Sequence, residues 1–257
     1  MTELTQQEDE ATAFFGDIPN LVVKRVTTCS SKTPDFLIDG DTVGYIVEVK
    51  SRYDAEDYLN NLRSGKIATT ARAVGHSDWG MTVAKKARRQ MRANDVRRER
   101  LWVLWLSVAC MSSVEAMWEQ AIGTLYGVRQ IAARHQMTKE LAGADCLYAV
   151  PGIFERFREF DCALVALDGR VCLCVNEFSA KLEILKGSIL YKSFGAPFSR
   201  EVFESKYGCF AITEAINRKD ENVIRDYLQK KYTLVDVFVL NMKSYSATAC
   251  VPRTRKN

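Results

Sequence analysis

The stretch 33–52, TPDFLIDGDTVGYIVEVKSR, constrains the chain more than any other. Two apolar runs, PDFLI and VGYIVEVK, flank Asp39-Gly40, a dipeptide suited to the tight turn of a β-hairpin. Side chains alternate faces along a strand, so Ile46, Glu48 and Lys50 share one face while Val43, Tyr45, Val47 and Val49 take the other. A two-residue loop sets Asp35 opposite Gly44, and a four-residue loop over 39–42 sets it opposite Ile46. Both registers put Asp35 on the face of Glu48 and Lys50; a three-residue loop would not. In the wider register Asp35 is a diagonal neighbour of Glu48, with Cβ atoms about 7–8 Å apart. Two carboxylates so placed can hold one hard divalent cation, since magnesium uses one or two carboxylates together with waters and phosphate oxygens. A lysine two residues along can orient a metal-activated water or stabilise charge on a phosphate. These are the parts needed to hydrolyse a phosphodiester.

The rest of the chain reads as elements around this hairpin. Residues 5–18 form a helix, with Ala11, Phe14, Phe15 and Ile18 at helical spacing and a capping box from Thr5 to Glu8. LVVKRV, 21–26, is a first strand. A helix near 55–62, a basic helix (VAKKARRQMRA) and a buried strand (LWVLWLSVA) follow. A long amphipathic helix is predicted over 113–136. Further on, CALVAL and RVCLCV flank Asp168-Gly169 as a second hairpin, with a helix over 221–231 and a strand over 235–240. The order predicts an α/β fold, a mixed sheet flanked by helices, with a β-rich C-terminal extension. The expected division is a core over 1–142 and an α+β subdomain or extension over 143–257.

Pro34-Asp35, twelve intervening residues and then Glu48-Val49-Lys50 resemble the PD-(D/E)xK nuclease superfamily. The resemblance implies a restriction-endonuclease-like core of helix, three-strand meander, helix and further strand, in the order read here through about residue 110. It implies Asp35 and Glu48 as metal ligands with help from the Val49 carbonyl, Lys50 as the catalytic lysine, and Mg2+ as cofactor with Mn2+ able to substitute. Many members carry a glutamate on the first helix; Glu8, on the helical face of Ala11 and Phe15, is the candidate here and Glu10 the runner-up. Glu204-Ser205-Lys206 repeats the ExK form but lacks a preceding Pro-Asp and an apolar strand.

Lys85, Lys86, Arg88, Arg89, Arg92, Arg97, Arg98 and Arg100 lie within sixteen residues, opposed by Asp95 and Glu99. Such a run is usually a solvated helix face. Because this one follows the strand of Glu48 and Lys50, Lys85, Lys86, Arg88, Arg89, Gln90 and Arg92, with Arg52 on the strand itself, become candidate nucleic-acid contacts. A net charge of +4 permits such a partner without demanding it. Hydrophobic residues make up 47% and charged residues 26%, as in an ordinary globular protein, so disorder and coiled-coil compositions are excluded. No apolar run approaches the roughly 18 residues of a membrane span. Eight cysteines without any CxxC, after a polar acidic start, read as reduced thiols of an intracellular protein of cytoplasm or nucleus. The expectation is a magnesium-dependent endonuclease acting on DNA in preference to RNA, with homodimerisation left open. The alternative is a catalytically silent nuclease-fold protein that binds nucleic acid or a protein partner.

Overall fold

The computed structural model describes residues 5–26, 33–40, 42–53, 60–61, 63–73, 78–109, 114–137, 139–240 and 245–250. The first helix, α1, runs over Gln6–Gly16 and starts with the expected capping box: Thr5 Oγ1 accepts from the Glu8 N–H, and the Glu8 carboxylate accepts from the Thr5 N–H at 2.8 Å. Then come β1 (Val22–Arg25), β2 (Phe36–Asp39) and β3 (Tyr45–Tyr53), an antiparallel meander. A short strand, β4 (Ala68–Ala73), precedes the helix α2 (Asp78–Asn94), which delivers the chain to β5 (Leu101–Ala109), parallel to β3 along nine residue pairs. Helix, three strands, helix and strand occur in the order expected, with β4 as an unexpected strand inserted before α2. The helix expected near 55–62 falls mostly outside the described residues.

The helix predicted over 113–136 is shorter. It forms α3, Val114–Tyr126, and Arg129–His135 is instead a strand, β6, paired antiparallel with β7 (Leu141–Leu147). Gly127 is the reason. It adopts φ +67, and a Cβ there would lie 1.8 Å from the Val150 carbonyl oxygen, so the chain must turn at a residue without a side chain. Beyond it, Ile131 and Ala133 are buried while Gln130 and Arg134 face outward, a period of two.

After the short helix α4 (Ile153–Arg156) come β8 (Cys162–Leu167) and β9 (Arg170–Val175). Their hairpin turns at Asp168 and Gly169 as the sequence predicts, with φ of +51 and +70, the left-handed pair of a two-residue I′ turn. α5 (Leu182–Gly187), α6 (Ile189–Lys192), α7 (Arg200–Tyr207), β10 (Phe210–Ala211), α8 (Glu221–Tyr232), β11 (Leu234–Val239) and β12 (Tyr245–Cys250) complete the chain.

The six-stranded sheet has the order β1-β2-β3-β5-β8-β9; a four-stranded sheet has the order β10-β7-β6-β11, and β12 pairs with β4 alone. The main sheet draws strands from both sides of residue 142, with β8 parallel beside β5 and β9 closing the far edge. Strand β8 is buried along its whole length, as a strand covered on both faces must be. One face of the sheet, with Tyr45, Val47, Val49, Val103 and Trp105, packs on Ala11 and Phe15 of α1 and on Leu185 and Leu190. Phe14 is half-buried there, its ring 5.4 Å from that of Trp105. The other face, with Ile46, Trp102, Leu104 and Leu106, packs on Met81, Ala84, Ala87 and Met91 of α2 and on the second sheet. Among the described residues no helix is long and apolar enough to cross a membrane.

Candidate active site

Strand pairing positions the three residues of interest. Phe36 pairs with Val47, Leu37 with Ile46 and Ile38 with Tyr45. Continuing one step sets Asp35 opposite Glu48, rather than opposite Gly44 or Ile46. The hairpin loop is longer than the Asp-Gly dipeptide implies, because Asp39 stays in β2. Val22 of β1 pairs with it, and its carboxylate holds Lys24 Nζ at 2.6 Å and Arg100 Nη2 at 3.2 Å. The longer loop preserves the parity, so Asp35 keeps to the face of Glu48 and Lys50, now as a direct neighbour of Glu48.

Asp35 Oδ2 accepts the Val49 N–H at 2.7 Å, so the contact Val49 makes with this carboxylate is through its N–H. Glu48 is fully buried beneath α2; its Oε1 accepts from Lys50 Nζ, and its Oε2 has no hydrogen-bond partner among the described residues. Burial above all, then the charge of Asp35, pushes the Glu48 carboxyl up to about 8 against the opposing pull of Lys50. Burial also raises Asp35, opposed by the Val49 N–H and by Lys50. Carboxyls raised by burial beside a second acid mark many functional sites.

Glu8 and Glu10 part company. Glu8 is near enough to Asp35 to raise its carboxyl further, and Arg25 near enough to lower it, but the Glu8 carboxylate is also engaged in the helix cap and lies 3.9 Å from Arg25 Nη2. Glu10 Oε2 lies 3.4 Å from Ser107 Oγ of β5. Nothing in the hairpin motif signals Arg25, which the antiparallel pairing of β1 with β2 brings beside Asp35.

Helix α2 sorts the basic residues by its turn. Ala84, Ala87 and Met91 face the core. On one flank Arg88 is committed to Glu159, with Nε to Oε1 at 2.8 Å, and its guanidinium lies 5.9 Å from the Phe157 ring centre. On the other flank, one turn apart, lie Lys86, whose charge acts on Glu48, and Gln90, whose Nε2 donates to the Thr33 carbonyl at 3.0 Å. Gln90 therefore ties α2 to the segment carrying Asp35, and its buried Oε1 has no partner among the described residues. Lys85, Arg89 and Arg92 are exposed on the solvent face between the flanks. Arg52 continues β3, paired with Val108, and its side chain lies outside the described residues.

No family model, no curated protein and no solved structure matches this chain. The site has to be judged on its own donors. Among the described residues no three His, Cys, Asp or Glu side chains gather into a metal-sized group. What the site offers is two neighbouring carboxylates, with a bare buried oxygen on Glu48. Hard oxygen donors of that kind and number suit magnesium or manganese and leave places for water and phosphate.

Two consequences are measurable. With Glu48 held at about 8, folding takes up a proton as pH rises beyond the ordinary glutamate range. Stability without metal is then lost progressively until about pH 8, because the native state binds more protons than the unfolded chain. Melting temperatures across that interval should fall in metal-free wild type and fall less in Glu48→Gln, and magnesium should stabilise wild type more at the alkaline end. A flat profile in wild type would place the Glu48 carboxyl in the ordinary range. Separately, Arg88→Ala should cost stability by breaking the pair with Glu159, whereas Lys86→Ala, at an exposed position, should leave stability nearly unchanged. Melts of both variants beside wild type check the order.

Proposed function

We propose that the chain is a metal-dependent nuclease that hydrolyses phosphodiester bonds in DNA, with Asp35 and Glu48 holding the ion and Lys50 as the catalytic lysine. The observation that carries this reading is the state of Glu48: a fully buried carboxyl beside Asp35, with one oxygen on Lys50 and the other without a partner. A buried carboxyl kept only for packing would have both oxygens satisfied; a bare one beside a second acid is the arrangement a cation completes. The Pro-Asp and Glu-x-Lys spacing, on strands running as the nuclease resemblance expects, supports the same reading.

A bound magnesium ion would polarise the scissile phosphate and acidify a coordinated water. The protein's own groups do the positioning. Asp35 is held by the Val49 N–H and by the Gln90 tie to Thr33. Lys50 keeps its ammonium against Glu48, where it can orient the attacking water or stabilise charge as it develops. Lys86, exposed on the adjoining flank of α2, can take a neighbouring phosphate.

The test is cleavage of supercoiled, linear and branched DNA with magnesium, manganese or calcium. Magnesium and manganese should support cleavage. Calcium should support binding only, since it coordinates more loosely and activates water less. Salt-sensitive DNA binding with no cleavage under any metal would favour a nuclease-fold protein that binds without cutting.

A further inference from the structure

A cavity of about 380 Å³ lies away from Asp35 and Glu48, between the end of β9, the helices α5 and α6 and the start of α7. Its walls are of two kinds. Tyr148, Phe178, Leu182 and Tyr191 make an aromatic and apolar side, while Lys186, Arg200, Glu177 and Glu201 make the polar side; Lys186 Nζ donates to the Glu183 carboxylate at 3.0 Å, an exposed pair of little worth that a ligand can displace. The volume is at the lower end of the roughly 300–1,000 Å³ of small-molecule sites. It would hold about a dozen waters at about 30 Å³ each, so a bare inorganic ion would leave most of it unfilled.

Arg200 is the informative residue. Its backbone N–H donates to Glu177 Oε1 at 3.0 Å, while its Nε lies 3.5 Å from Glu177 Oε2 and 3.6 Å from Glu204 Oε2. That Nε is buried without a hydrogen-bond partner, and among the described residues the guanidinium donates no hydrogen bond. Glu177 Oε2 also accepts from the Tyr148 hydroxyl at 3.5 Å. The two acids therefore hold the guanidinium in place without satisfying it. With Nε turned to the two acids, its terminal N–H donors suit one ligand chemistry, an oxyanion that accepts from them. Glu201 also lines the cavity, so the anion belongs on the side of Arg200 and Lys186.

We infer that this cavity binds a small organic anion, its carboxylate or phosphate monoester on Arg200 and Lys186 and its planar or hydrocarbon body against Tyr148, Phe178 and Tyr191. The test uses ligand-observed NMR and titration with benzoate and with adenosine monophosphate as probes, and inorganic phosphate as the bare-ion control. At least one organic probe should bind more tightly than phosphate, and which one binds distinguishes a carboxylate from a phosphate head. Arg200→Gln should weaken it by about tenfold or more, the loss of hydrogen bonds from a charged group. Lys186→Gln, remote from the anchor of α7, should weaken it by a smaller factor. Should Arg200→Gln lose its native circular dichroism, the lysine variant decides alone. No binding by either organic probe, binding by phosphate only, or affinity unchanged in the folded variants would overturn the assignment.

Discussion

On the proposed nuclease reading, Lys50→Ala should abolish metal-dependent cleavage of DNA and leave the fold standing. Removing one preorganised donor aimed at developing charge costs about 10²–10³ in rate, the least expected here. The side chain is 15% exposed and, among the described residues, its ammonium hydrogen-bonds Glu48, so alanine removes an ion pair of the site rather than an apolar core side chain. The change acts twice. It deletes the charge facing the substrate, and it removes the partner that opposes burial at Glu48, so the Glu48 carboxyl rises further and holds its proton more firmly. Metal binding should therefore weaken at neutral pH and recover as pH rises, while the rate does not recover. Manganese titration and single-turnover nicking of supercoiled plasmid, run side by side across pH, separate the two. Equal nicking by wild type and variant would assign the activity to a contaminant or to another site.

The second large effect is on stability. Asp161→Ala should destabilise the protein by about 3–5 kcal/mol, the usual result of deleting one member of a buried charge pair, and lower the melting temperature by about 10 °C. Asp161 is fully buried where β8 begins. One oxygen accepts the Trp102 N–H of β5 at 2.6 Å; the other takes Arg98 Nη2 at 3.0 Å and the Ser179 hydroxyl. Arg98 in turn covers the Trp102 ring, its guanidinium 4.8 Å from the ring centre. Alanine would strand the arginine and leave a buried N–H without an acceptor. Asp161→Asn keeps an acceptor but loses the charge, so it should fall between wild type and alanine. Urea melts of the three proteins check the order; an alanine variant as stable as wild type would show that the network contributes nothing.

The parts of the site governed by local rules were legible in the sequence. Alternation along a strand puts Glu48 and Lys50 on one face and Val47 and Val49 on the other, and any hairpin loop of the right parity adds Asp35. The exact register was not legible, because Asp39 is held in β2 by Lys24 and Arg100, the latter distant in sequence. The long helix was over-extended because the left-handed Gly127 answers to the Val150 carbonyl, a contact no periodicity reports. In the basic helix the residue types were plain but their duties were not. Counting turns from the apolar stripe of Ala84, Ala87 and Met91 would have set Lys86 and Gln90 on one flank and Arg88 on the other. Only the fold shows that the first flank meets Glu48 and the second meets Glu159.

The order of the main sheet bears on how the protein is made. β5 is parallel to both its neighbours, and its second neighbour, β8, is translated only after α3, β6, β7 and α4. A growing chain that has released 1–142 therefore carries an apolar strand, LWVLWLSVA, whose outer row of backbone groups has no mate until 162–167 emerge. Such an edge invites pairing with other chains. Synthesis that stalls or terminates in that interval would leave a sticky fragment rather than a small folded core, so the hairpin of β8 and β9 serves as a closing piece for the half that precedes it.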